Sequence, residues 1–392
     1  MRILVVIPAI GNVYGGPSKS VIELSQAIGS KNVDLDIVTT NANGSNSLDV
    51  PLNCWNDEKN YRIQYFAYWD LKDYKISFSL TQWLWQNVKK YDLVHTNAIF
   101  SYAILPAYLS CIKYKIPYII TPRGMLEPWA LSYKAWKKNS YYRLFEKPAL
   151  NRASAIQMLT PSEAQGIILL NLKAPNVIIP NGIHRHDFDP LTKPETFWQK
   201  FPNTRNKQII IFLGRIDPKK GLDLLAKAMG KIHQKFPQAH LVVAGSDNID
   251  FLPKVKQYFE AENCLDKVTF TGLLTGELKY SALSAADIYV APSYSEGFSM
   301  SVLEGMASGL PCVITTGCNF PEAAKANLAY ITKIDAGEIA NALLKCLSDR
   351  NAAKAMGTRA REFIFQNYTW DKIALGMVEV YREILNKSKY SI

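Results

Sequence analysis

Histidine and cysteine are scarce in this chain, five and six in 392 residues. The cysteines stand at 54, 111, 264, 312, 318 and 346 and form no C-x-x-C pair. That spacing argues against a zinc framework or a disulfide scaffold and leaves reduced thiols. Long apolar runs are also missing. The longest uncharged segment, Leu93 to Ile112, contains His95, Asn97 and Pro106 and reads as a strand plus a buried helix, not a membrane span. The opening MRILVVIPA turns to glycine too soon for a signal peptide and reads as a strand. There is no Walker A loop, because Lys19-Ser20 follows Ser18 and not a glycine. There is no G-x-G-x-x-G fingerprint, no tandem repeat and no nucleic-acid-binding motif.

What is present suits two domains. With 48% hydrophobic and 20% charged residues, 392 residues can fill two cores. The net charge of +11 attracts anions such as nucleotides or anionic lipid surfaces, and residues 1–182 are the more basic half.

The chain is organised around Pro292 to Pro311, PSYSEGFSMSVLEGMASGLP. Residues 285–291 before it read as a buried strand. Met300, Leu303, Met306 and Ala307 have helical spacing. A strand, a loop and a helix in a doubly wound sheet form a ligand-binding corner, and the amides of Ser299, Met300 and Ser301 at the helix start favour a phosphate. Glu296 in the loop and Glu304 on the helix are acceptor-only groups that suit sugar hydroxyls. Ser293-x-x-Glu296 and Ser301-x-x-Glu304 also fit capping boxes, so each acid alone has a structural reading.

Glu296-Gly-Phe-Ser-Met-Ser-Val-Leu-Glu304, with Gly309-Leu-Pro311 behind it, resembles the E-x7-E signature of retaining nucleotide-sugar glycosyltransferases of family 4. The resemblance implies the α/β GT-B fold: two Rossmann-like, doubly wound parallel-sheet domains facing a central cleft. It extends over most of the chain. Gly214-Arg215 through Lys220-Gly221 matches the family's G-R-x-x-x-x-K-G, which implies Arg215 and Lys220 as diphosphate ligands. Gly15 and Gly16 match the glycine pair under the donor diphosphate, and Leu273 after Gly272 is implied at the base. Glu304 would take the ribose hydroxyls and Glu296 those of the donor sugar. The amides of Phe298, Ser299 and Met300, beside Gly297, would take leaving-group charge. His95, near a strand end, is a candidate substrate contact. Many members carry histidine near position 123. Arg123 in Arg-Gly-Met-Leu-x-Pro-Trp-Ala is similar instead to bacterial exopolysaccharide-building members, and an arginine there holds anions or hydroxyls rather than acting as a base.

Asp34-Leu-Asp36 and Asp187-Phe-Asp189 match the D-x-D of metal-dependent transferases in spacing only, and no metal or cofactor is expected. Asn41 to Lys59 reads as a surface loop. Arg123 to Arg152 holds seven basic and two acidic residues interleaved with Trp129, Tyr133, Trp136, Tyr141, Tyr142 and Phe145. This suits an interfacial helix on an anionic membrane, or equally a solvated face over an aromatic core. The expected organisation is an acceptor-binding domain over 1–182, a linker over 183–206, a donor-binding domain over 207–367, and a last helix, 368–392, that returns to the first domain. The expected protein is cytoplasmic, peripheral at the inner face of the membrane, and does not bind nucleic acid. It would move a hexose from a UDP-sugar, UDP-glucose first, to a saccharide or lipid-linked saccharide. The alternatives are a GT-B epimerase, which needs acid–base residues at the sugar, and a catalytically silent nucleotide-sugar-binding subunit, which would have lost Arg215, Lys220, Glu296 or Glu304.

Overall fold

The computed structural model describes residues 1–71, 74–126 and 140–389, and the chain divides into two compact units. Unit 1 is residues 1–182 with 370–392; unit 2 is residues 183–369.

Unit 1 is built on β1 (Arg2–Ala9), β2 (Asp34–Thr40), β3 (Trp55–Asp57), β4 (Arg62–Phe66), β5 (Leu93–Asn97), β6 (Tyr118–Thr121), β7 (Ala155–Met158) and β8 (Asn176–Ile178). Their order is β8-β7-β6-β5-β1-β2-β4-β3, parallel except for β3 against β4. The central strands are continuous apolar runs because both faces are covered. Successive side chains alternate between faces. Leu4, Val6, Val94 and Ile120 enter one core, and Ile3, Val5, Leu93 and Ile119 the other. The second core is closed by α1 (Gly16–Gly29) and the terminal helix α5 (Trp370–Lys389), through Trp370, Met377 and Tyr381.

Unit 2 repeats the plan. The strands are β9 (Gln208–Leu213), β10 (Ala239–Ala244), β11 (Val268–Gly272), β12 (Ile288–Ala291), β13 (Cys312–Thr315) and β14 (Ala329–Thr332), in the order β11-β10-β9-β12-β13-β14, all parallel. The helices that matter for the site are α2 (Leu222–His233), α3 (Gly276–Ala285) and α4 (Met300–Ala307). The order reverses direction between β9 and β12, the switch point where a doubly wound sheet opens a crevice at the strands' carboxyl ends.

Three local expectations change. Residues 41–59 are not all loop: Trp55–Asp57 adds an edge strand, because Trp55 packs edge-on against Trp83 and under Arg62. Residues 183–206 are built into unit 2, with Ile183, Phe188 and Phe197 buried in its core and a helix over Glu195–Lys200. The two D-x-D matches are structural. Asp36 is fully buried between Arg62, Arg2 and the Tyr91 hydroxyl, and Asp189 pairs with Arg185 and Arg361. All six cysteines are unpaired, with only Cys54 exposed.

Candidate active site

The loops that leave β9 and β12 are fastened to one another. After β9 the chain runs through Gly214 and Arg215 into a short turn, Pro218–Lys220, shaped by the Asp217 carboxylate accepting from the Lys219 amide at 3.0 Å. Gly221 then caps α2 with φ of 69°. A Cβ there would meet the Pro292 carbonyl at 2.0 Å, so only glycine lets the β9 loop lie against the β12 loop. The Tyr294 amide donates to the Lys219 carbonyl at 2.7 Å, and the Tyr294 hydroxyl donates to Asp223 at 2.6 Å.

This contact brings Lys220 to Glu296. The Lys220 ammonium donates to Glu296 Oε1 at 2.6 Å, and the Ser293 hydroxyl donates to the same oxygen at 2.7 Å. The pair is nearly sealed, with side-chain exposures of 13% and 9%. The Glu296 backbone is fixed too, its amide donating to the Gly317 carbonyl at 2.8 Å and its carbonyl accepting from Asn319. Eight residues on, Glu304 on α4 accepts from Lys279 of α3 at 2.8 Å, again at low exposure, and Lys279 also lies over the Tyr280 ring. Neither glutamate is a helix cap. Ser299 is the N-cap of α4 without a side-chain cap bond, Ser293 lies in the loop, and Ser301 accepts from the Tyr289 hydroxyl inside the helix.

Cations outnumber acids in the β9 loop. Arg215 is exposed and forms no hydrogen bond or ion pair with a described residue. Burial lowers the Lys219 ammonium from lysine's ordinary pKa; Glu296 opposes the shift, and Lys220 and Arg215 reinforce it. A bound anion would relieve that crowding. The loop has the chemistry to hold an anion, with two carboxylates nearby that can accept from hydroxyls. Gly297, Phe298, Ser299 and Met300 form the turn into α4, with Phe298 packed towards Tyr368. Leu273 is exposed just beyond the edge strand β11, at the carboxyl end of the same sheet.

In unit 1, Gly15 adopts φ of 69° immediately before α1, and an added Cβ on Gly15 or Gly16 meets nothing within 4 Å. Arg123 follows β6 and donates twice to Asn97 Oδ1, at 2.7 and 3.2 Å, and once each to Ser20 and Asn181. His95 is not a substrate contact as placed. It sits mid-strand opposite Val5 and Ile119, on the face covered by α5. Thr121 spends its proton on Gln157 at 2.8 Å, so His95 Nε2 donates to Thr121 and Nδ1 accepts from the Tyr381 hydroxyl, both at 2.7 Å. Both ring nitrogens are used. Burial, reinforced by Arg123, depresses the imidazole pKa to about 3, so the ring is neutral.

Residues 194–363 match the family model for glycosyl transferases group 1, and residues 14–186 match the model for glycosyltransferase family 4. The chain has the two domains of a family 4-type glycosyltransferase. Among relatives, it is 30% identical over 215 residues to an uncharacterized glycosyltransferase of Methanocaldococcus jannaschii, covering 52% of this chain and 53% of that protein. It is 25% identical over 213 residues to the GDP-mannose-dependent alpha-(1-6)-phosphatidylinositol monomannoside mannosyltransferase of Mycobacterium tuberculosis, covering 52% and 55%. The chain thus spans about half the length of the curated relatives it matches. The fold is GT-B, shared with Anabaena HepE, solved in complex with UDP-glucose, at a TM-score of 0.78 and 17% identity over 98% of this chain and all of that one.

The structure brings three further residues beside those the motifs mark. Lys279 hides among ordinary helix residues, and only its reach to Glu304 across α3 and α4 reveals it. Lys219 stands beside the motif lysine. Asn97 ends β5 on the same face as His95, and that alternation was readable from the sequence.

Proposed function

We propose that this protein transfers a hexose from a nucleotide diphosphate sugar, UDP-glucose first, to a saccharide or lipid-linked saccharide acceptor in polysaccharide biosynthesis, with retention of anomeric configuration. The observation that carries the reading is the double pairing at the unit 2 switch point, Lys220 with Glu296 and Lys279 with Glu304, beside the unpaired charge of Arg215. In this reading Lys220, Arg215 and the amides of Phe298, Ser299 and Met300 hold the diphosphate. Glu296 takes the donor-sugar hydroxyls, Glu304 the ribose, and Leu273 packs on the base. Gly15 and Gly16 leave room for close backbone approach before α1. Residues 207–367 are the donor domain and 1–182 the acceptor domain. His95 acts at one remove, by holding Thr121 and the end of β6.

The acceptor oxygen attacks the anomeric carbon from the face that the leaving UDP departs. The bond from that carbon to the phosphate oxygen breaks, and the leaving phosphate accepts the hydroxyl proton. Positioning and fixed positive charge then supply the catalysis, without a metal. Support for UDP-glucose is the complex of the HepE fold relative. The Mycobacterium relative's name carries GDP-mannose, which is the competing donor.

Association with an anionic membrane surface belongs to the same proposal. Exposed Leu144 and Phe145 stand beside Arg143 and Lys147. Trp129, Tyr133 and Trp136 of that stretch lie outside the described residues. No described helix is long and apolar enough to cross a membrane. Flotation with anionic vesicles tests the surface: protein that stays at the bottom of the gradient removes it. The transfer itself is tested by proton NMR of slow UDP-glucose hydrolysis without acceptor. α-Glucose appearing first supports retention; β-glucose first contradicts it.

A further inference from the structure

Among the described residues, Arg123 forms no direct ion pair. The chain's other well-held arginines meet carboxylates: Arg2 and Arg62 share Asp36, and Arg185 and Arg361 share Asp189. Arg123 meets only neutral oxygens. Its Nε and Nη2 donate to Asn97 Oδ1, and Nη1 donates to Ser20 Oγ at 3.0 Å and Asn181 Oδ1 at 3.1 Å. Among the described residues no carboxylate lies within ion-pair distance of it. Burial lowers its pKa to about 10, and only the more distant Glu163 opposes that shift. Its backbone has φ of 57°, a left-handed conformation that strains an arginine.

Strain and half-burial of a charge with no direct ion pair at the carboxyl end of β6 are costs that its hydrogen bonds and the more distant, buried Glu163 carboxylate offset in part. A bridge built for stability would place an acid here, as Asp36 is placed. Three neutral side chains from β5, α1 and residue 181 instead fix the guanidinium fork while leaving its charge and one Nη2 hydrogen unspent. That is the preorganisation a fork needs to receive an oxyanion.

We propose that Arg123 seats an anionic group, a phosphate or a carboxylate, carried by the acceptor. The word acceptor rests on the transferase reading. The proposed donor diphosphate has its own cations, Arg215, Lys219 and Lys220, and nucleotide and acceptor anion are expected not to compete.

The test is calorimetric titration of the full chain, saturated with UDP, with inorganic pyrophosphate and separately with glucuronate. At least one probe should bind wild type, more weakly at higher salt. The Arg123→Gln substitution, which keeps amide donors for Asn97, should weaken that probe at least about tenfold and change UDP affinity less than about twofold. Arg123→Lys should fall between. Which probe binds names the class of anion. The proposal is overturned if neither probe binds the UDP-saturated wild type, or if Arg123→Gln binds as well as wild type. It is also overturned if UDP displaces the probe, which would assign the anion to the donor. Should UDP itself not bind, the donor reading fails separately, and the probe comparison between wild type and Arg123→Gln still decides the anion site. Should Arg123→Gln not fold, wild type and Arg123→Lys carry the comparison.

Discussion

Replacing Lys220 by Met separates a structural ion pair from a ligand-binding one. In the empty protein Lys220 neutralises Glu296, whose side chain is 9% exposed and would keep only the Ser293 hydroxyl as side-chain donor. Leaving that carboxylate buried and unpaired costs about 3–5 kcal/mol of stability. If Lys220 also holds the donor diphosphate, the substitution removes a charge-assisted hydrogen bond to it, about 1.5–3 kcal/mol, or roughly a ten- to hundredfold loss in UDP affinity. The double substitution Lys220→Met with Glu296→Gln divides the two effects. It removes the orphaned charge, so most of the stability returns, but it does not restore the bond to phosphate. UDP calorimetry and thermal unfolding on wild type, both single variants and the double variant close the cycle. The reasoning is refuted if the double variant binds UDP like wild type, or if Lys220→Met binds within about threefold, because the pair is then only a bridge between two loops.

Lys279→Met should weaken UDP about tenfold by releasing Glu304, with partial rescue by Lys279→Arg; equal affinity in calorimetry would make the pair only a bridge between α3 and α4. Gly305→Ala should lower the melting temperature, by about 1–3 kcal/mol of stability, because its Cβ would meet the buried Tyr289 ring at 2.6 Å; an unchanged transition would contradict the packing. The neutral His95, with its pKa held near 3, binds fewer protons than the unfolded chain, so its part of the stability is complete above pH 6.5 and is lost as pH falls towards 3. Stability of His95→Leu should depend less on pH across that window in denaturant titrations. Burial raises Glu146 in the other direction, to about 7, despite the Phe100 amide and the Tyr108 hydroxyl, which oppose the shift. Its part of the stability is present at low pH and lost as pH rises from 4.5 through 7, so Glu146→Gln should raise the melting temperature at pH 8 and not at pH 4.

The parallel strands were readable because burial on both faces makes each a continuous apolar run, from Ile3–Ile7 to Cys312–Thr315. The loop, helix and two glutamates of 292–311 were readable because turn residues and helical spacing fall in one register. Pairings across elements were not. Nothing in the spacing of Lys279 points to Glu304, since the contact depends on how α3 packs beside α4. His95, near the end of a strand readable as far as Asn97, lies on the face that α5 covers, which spacing alone could not show. Trp55–Asp57 looked like loop because its polar neighbours hide an edge strand held by aromatic and cation–π packing rather than by an apolar run.

The central claim is that the paired glutamates and their lysines form a nucleotide-sugar site. Titration of UDP, GDP and ADP in the presence of a chelator, on wild type and on Glu304→Ala, tests it most directly. The account predicts that UDP binds best, without metal, and that Glu304→Ala loses at least about tenfold of that affinity. No nucleotide binding, or equal binding by Glu304→Ala, would contradict it.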